Sequence, residues 1–132
     1  MNPPRTFPDL LAHRLRTDPG QPLVTAYDDD TGERTELSVT TYANWVNKTA
    51  NLFTEELDLE PGDTVLLDLP PHWLVPVFLG AAWTAGLVVT TDRTSAGSLV
   101  VCGPATLAEH AGSGHAGSGQ HERVLACSLR PF

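Results

Sequence analysis

The stretch Thr41 to Leu69, TYANWVNKTANLFTEELDLEPGDTVLLDL, leaves a chain like this few ways to fold. Tyr42, Trp45, Val46, Thr49, Ala50, Phe53 and Leu57 recur at the three-and-four spacing that gives a helix one buried face. The period then changes. Pro61-Gly62 supplies the fixed φ and the positive φ of a type II turn, and Thr64 to Leu69 continues as a nearly unbroken apolar run of strand length. Helix, tight turn and buried strand follow one another directly, with Thr41 placed to cap the helix through its hydroxyl.

The flanking segments extend this pattern. Phe7, Leu10, Leu11 and Leu15 keep a helical period, with Pro8 and Asp9 suited to a first turn and Pro19-Gly20 as a stop; Arg14 and Arg16 fall largely off the apolar face and read as solvated. Pro22 to Tyr27 and Glu33 to Val39 are β-type runs joined by Asp28-Asp29-Asp30-Thr31-Gly32, which predicts a hairpin. After Pro70-Pro71-His72 a helix is expected from Trp73 to Ala85, with Pro76 in its first turn, then Gly86 and a strand over Leu87 to Thr91. Strand, helix and strand with short loops make a βαβ unit. Leu99 to Cys102, a short helix within Pro104 to His110, and Arg123 to Ser128 predict a second one. Asp92 to Ser98 is too short for a parallel crossover between neighbours, so the strands on either side are antiparallel or not paired directly.

The expected architecture is therefore α/β over 1–132 as a single domain: a mostly parallel sheet of about five or six strands flanked by helices, with an N-terminal β-hairpin. Between the short helix and the last strand the unit His-Ala-Gly-Ser-Gly is written twice, predicting a flexible Gly/Ser/His loop at 111–120. The sequence ends at Arg130-Pro131-Phe132 directly after a strand, as a fragment or an abbreviated domain would.

Composition narrows the partners. Sixteen acidic against eight basic residues give a net charge of −8, which opposes binding to nucleic acid or to an anionic membrane. Trp73 to Val89 is short for a bilayer span and carries Pro76, Gly80 and Gly86. Cys102 and Cys127 sit in apolar runs without metal-ligand spacing, and Met1 to Arg5 lacks the apolar core of a secretory signal. A cytoplasmic protein with two reduced thiols is expected.

No motif supplies a complete site. The acidic hairpin tip fails the calcium-loop grammar, because counting from Asp28 the glycine falls fifth rather than sixth and Val39 stands where a glutamate is needed. The Gly/Ser repeat follows a helix, precedes a strand and holds no lysine, unlike a phosphate loop. His110, His115 and His121 lie close in sequence, but no Cys or carboxylate is spaced to complete a metal site with them. No serine has the G-x-S-x-G context of a nucleophile elbow. Trp45 and Trp83 read as core. In open α/β sheets ligands bind beyond the carboxyl ends of strands, and that rule marks His72, Trp73, Thr91 and Asp92 as crevice residues. The plainer alternatives are a turn or helix cap at Asp92 and a solvated loop at His72.

Thr41-Tyr42 with its helix, Leu59-Glu60-Pro61-Gly62-Asp63-Thr64-Val65, Leu69-Pro70, and Gly80 to Thr91 together resemble the N-terminal part of AMP-binding, adenylate-forming enzymes of the acyl-CoA synthetase type. The order and spacing agree from about Leu23 to Asp92. The family includes short bacterial proteins that keep only this region, and the chain resembles those. It departs from the family pattern at Asn44, where a Glu is usual, at Pro71 in place of Asn, and at Thr91 in place of Pro; the helix expected next is reduced to Asp92 to Ser98. The family's ATP loop, ending in T-G-x-P-K-G, is absent, and Thr94 to Ser98 only echoes it. The resemblance thus carries over no catalytic, cofactor-binding or metal-binding residue.

Three functions stay open at this level. The first is a noncatalytic domain acting through binding or assembly with a protein partner or a second copy, by way of exposed apolar surface. The second is part of a split or truncated adenylate-forming enzyme whose catalytic residues lie outside the chain. The third is a small nucleotide-binding module for ATP, AMP or CoA.

Overall fold

The computed structural model describes residues 3–111 and 121–129. In chain order it contains α1 (Phe7–Thr17), β1 (Pro22–Asp28), β2 (Glu33–Ser38), α2 (Val39–Asn51), a π-helical turn (Leu52–Glu56), β3 (Thr64–Asp68), α3 (Leu74–Thr84), β4 (Val88–Thr90), β5 (Gly97–Cys102), α4 (Leu107–Ala111) and β6 (His121–Ala126). The Gly/Ser/His stretch expected to be flexible lies, from residue 112 on, outside the described residues.

β1 and β2 pair antiparallel as a two-stranded sheet of their own, while β3 to β6 form a parallel sheet in the order β4-β3-β5-β6. The parallel sheet therefore has four strands among the described residues. The hairpin stays separate and packs on helices. Its tip is held by local polar bonds: the Asp28 carboxylate accepts from the backbone N–H of Asp30 and Thr31 at 3.0 and 3.3 Å, and Gly32 takes φ +75°.

The order β4-β3-β5 resolves the short Asp92–Ser98 connection. β4 and β5 are not neighbours; each pairs with β3 from an opposite side. β4 stops at Thr90, level with Leu66, and β5 starts two residues before Leu99, which is level with Val65. The connection therefore backs up roughly 10 Å along the strands and crosses roughly 10 Å over β3, a path of about 14 Å that six extended residues, reaching about 20 Å, can span.

The apolar residues fall into two clusters. Val65, Leu67, Leu99 and Val101 face Phe53, Phe78, Ala81 and Ala82, so α2, its π-helical extension and α3 cover one face of the parallel sheet. Phe53 and Phe78 stack with ring centroids 6.2 Å apart. A second cluster joins Leu11 of α1, Leu37 of β2, Val39, Tyr42 and Val46 of α2, and Trp73 and Val77. Leu66, Val100 and Cys102, on the alternate positions of β3 and β5, are also fully buried.

Three details differ from the sequence reading. Ser38, not Thr41, caps α2: its hydroxyl accepts from the Thr41 N–H at 3.1 Å, while the N–H groups of Val39 and Thr40 bond to the carbonyls of Gln21 and Pro19. The helix can start earlier because its first donors are met by backbone from the preceding loop. Its far end widens into the π turn, with Leu57 N–H on the Leu52 carbonyl at 3.0 Å. Finally, Trp83 is 47% exposed, with its ring edge-to-face against Phe7 at 5.5 Å, and Trp45 is only partly buried.

The turn before β3 follows the sequence. Asp63 N–H bonds to the Glu60 carbonyl at 3.0 Å, and Gly62 takes φ +93°. Gly62 N–H reaches the Gly86 carbonyl at 2.9 Å, which ties the start of β3 to the start of β4.

Candidate functional site

Beyond the carboxyl ends of β3, β5 and β6 the chain leaves an open cleft of about 1040 Å³, closed on its other side by the hairpin. The sheet side contributes Pro70, Pro71, His72 and Trp73 after β3, Pro104 and Leu107 after β5, and Cys127 to Leu129 after β6. The hairpin side contributes Tyr27, the acidic tip Asp28 to Asp30, and Glu33. Among the described residues, no Lys or Arg lines the cleft.

Of the four crevice residues marked in the sequence, the structure brings His72 and Trp73 to this cleft and leaves Thr91 and Asp92 away from it. The strand order is the reason: Thr91 and Asp92 follow β4, on the far side of β3 from β5 and β6. His72 turns back on its own chain, its Nδ1 accepting from the Leu74 N–H at 3.1 Å in the first turn of α3. Trp73 is buried, edge-to-face with Trp45 at 5.1 Å and tilted against the His72 ring at 5.4 Å. Asp92 acts as a turn former. Its carboxylate accepts from the Thr94 hydroxyl and N–H at 2.7 and 2.9 Å, and these bonds hold it below the usual carboxylate range.

A polar cluster on the same sheet face as Leu66 escaped sequence reasoning. Asp68, the last residue of β3, meets His110 of α4 with Oδ2 and Nε2 2.7 Å apart, and the same carboxylate oxygen lies 3.3 Å from Nε of Arg93. Arg93 also pairs with Glu109. The His110 side chain is 1% exposed, so the Asp68 contact fastens α4 over the sheet from inside. The one available signal was a carboxylate ending the apolar run Val65-Leu66-Leu67; its partner 42 residues later has no local signature.

Burial pushes the Cys102 thiol up, with the nearby Asp68 charge adding to it, and burial likewise raises Cys127. Both cysteines are free, and such shifts suppress the nucleophilic thiolate. Cys127 instead donates its S–H to the Cys102 carbonyl at 3.3 Å. Among the described residues no group of three His, Cys, Asp or Glu side chains is placed to hold a metal ion, and no helix is long and apolar enough to cross a membrane. His115 and the His121 side chain lie outside what is described.

Sheet order, hairpin and helices together define a class: the fold is the one used by the N-terminal part of acyl-CoA synthetases and fatty acyl-AMP ligases, as the sequence resemblance implies. Superposition on an acyl-CoA synthetase from Brucella canis gives a TM-score of 0.75 at 18% identity, covering 94% of this chain and 24% of that one. The N-terminal domain of FACL13 from Mycobacterium tuberculosis gives 0.67 at 18% identity, covering 94% of this chain and 34% of that one. At such identities the likeness is one of fold. In sequence, the chain is 42% identical over 100 residues to a Mycobacterium tuberculosis (strain ATCC 25618 / H37Rv) protein named TIGR03089 family protein. That match takes in 76% of this chain and spans 41% of the relative's length. No family model matches the chain.

Proposed function

We propose that this chain is a noncatalytic, adenylate-forming-type domain that works in the cytoplasm by binding and assembly. The carrying observation is the chemistry of its crevice. Open α/β sheets bind ligands beyond the carboxyl ends of their strands, and here that place is rimmed by Asp28, Asp29, Asp30 and Glu33, with no Lys or Arg lining it among the described residues. A triphosphate brought there would meet the like charge of these carboxylates. The absence of a T-G-x-P-K-G loop from the 132 residues points the same way. Large apolar side chains exposed on several elements, among them Leu10, Trp83 and Val88, are available for assembly with a protein partner or a second copy.

The deciding experiment is acid-dependent exchange of pyrophosphate into ATP, run on the purified chain over a panel of carboxylic acids. No exchange is expected. Exchange above background that depends on the acid would overturn the reading. A second reading is favoured by the match to 41% of a longer relative: the chain is the N-terminal part of an adenylate-forming assembly whose catalytic residues lie on other polypeptide. Exchange that appears only when a copurifying protein is added would select it. Sedimentation velocity tests the assembly clause, and a concentration-independent monomer, found also with cell extract present, would refute it.

A further inference from the structure

The two walls of the cleft differ in a way the scaffold itself does not require. The sheet side is largely apolar: Pro70, Pro71 and Pro104 have no N–H and Leu107 and Leu129 add aliphatic surface, with His72 and Ser128 its polar side chains and no carboxylate among its described residues. The hairpin side carries the exposed carboxylates of Asp29, Asp30 and Glu33, plus Asp28, whose Oδ1 is engaged within the turn. We propose that this cleft docks an extended protein segment in which Lys or Arg residues flank apolar ones. The inference rests on the reading of the chain as a binding domain and supplies that domain's surface and the chemistry of its partner.

Charge complementarity selects the occupant. An anionic ligand is repelled by the hairpin, and a purely apolar one leaves the carboxylates without a counter-charge. The size agrees with a peptide: about 1040 Å³ is at or above the top of the usual range for small-molecule pockets, roughly 300–1,000 Å³. The hairpin already displays the recognition chemistry within itself. The Arg34 guanidinium stands 5.9 Å from the centroid of the Tyr27 ring and bonds Glu36 at 2.8 Å, so an aromatic face beside carboxylates accepts a guanidinium on this same ribbon. Tyr27 is itself 71% exposed and lines the cleft. The net charge of −8 would steer a cationic segment toward the molecule, with a salt dependence that a purely apolar contact lacks.

The test uses the full chain and two fluorescein-labelled synthetic peptides, one alternating lysine with leucine and one with glutamate in place of lysine, read by anisotropy at low and at physiological salt. The lysine peptide is expected to bind, more weakly as salt rises, and the glutamate peptide not to bind. In the variant Asp29→Asn, Asp30→Asn, Glu33→Gln, affinity for the lysine peptide is expected to fall about tenfold or more; circular dichroism checks that these exposed changes leave the fold intact. Hydrogen exchange of the complex locates the peptide, with protection expected on both walls, at 26–31 and at the amides of His72 and Trp73. Failure of the lysine peptide to bind, equal binding of the glutamate peptide, unchanged affinity in the variant, or protection confined to other segments would each overturn the docking. These failures are separable from failure of the underlying reading, which is overturned instead by acid-dependent pyrophosphate exchange, whatever the peptides do.

Discussion

Gly80, in the middle of α3, faces Tyr42 of α2 and Phe7 of α1, and replacing it with alanine tests the second apolar cluster directly. A Cβ built there would fall on the hydroxyl of Tyr42, nearer than real Cβ contacts allow, and 2.9 to 3.0 Å from the edge of the Phe7 ring. The Tyr42 hydroxyl cannot yield freely, because it donates to the Pro76 carbonyl at 2.7 Å and the residue is buried. Three contributions set the expected result. Alanine for glycine inside a helix gains about 1 kcal/mol of propensity. Overpacking costs about 1–3 kcal/mol, and displacing the hydroxyl forfeits a hydrogen bond of about 1 kcal/mol. Gly80→Ala should therefore destabilise by about 1–3 kcal/mol, the reverse of what propensity alone predicts. In urea, with a slope of about 1–3 kcal/mol/M, that is a fall in midpoint of about 1 M at unchanged slope. In a Tyr42→Phe background the obstructing oxygen is gone and only the Phe7 ring, near the start of α1, has to move. The penalty should then shrink by about 1 kcal/mol or more, a coupling that the double-mutant cycle reads directly. Equal penalties in the two backgrounds, or a stabilised single variant, would refute the packing argument.

Burial pushes the Tyr42 phenol up to about 12, whereas an unfolded tyrosine ionises near pH 10. Between those values the unfolded chain gives up a proton that the folded chain keeps, so stability is complete below pH 10 and falls as pH rises toward 12; urea midpoints measured along that range should decline in the wild type and lack this decline in Tyr42→Phe. Ser38→Ala should cost about 1 kcal/mol by removing the cap of α2, more than Thr41→Ala, and the order of the two urea midpoints checks which residue is the cap. Asp68→Ala removes the carboxylate facing the buried His110 and should cost about 2–3 kcal/mol. Arg93→Ala, at a half-exposed pair, should cost less than about 1 kcal/mol in the same assay.

What the sequence determined by itself was local. The three-and-four spacing from Tyr42 to Phe53, the Pro61-Gly62 turn, and the apolar runs at β3 and β5 encode their elements through contacts within a few residues, and these were legible. The carboxyl-end rule marked His72 and Trp73, which both line the cleft. Tertiary structure decided the rest, because each remaining feature depends on groups far apart in the chain. Strand order placed β3 between β4 and β5, which removed Thr91 and Asp92 from the cleft and let a six-residue connection suffice. Ser38 became the cap because carbonyls of Pro19 and Gln21 satisfy the neighbouring helix donors. The Asp68–His110 contact joins a strand end to a helix across 42 residues, and no spacing announces it. The cleft is of the same kind. Its carboxylates, at 28–33, and its prolines, at 70, 71 and 104, are far apart in the sequence, and only the packing of the hairpin beside the strand ends sets one against the other.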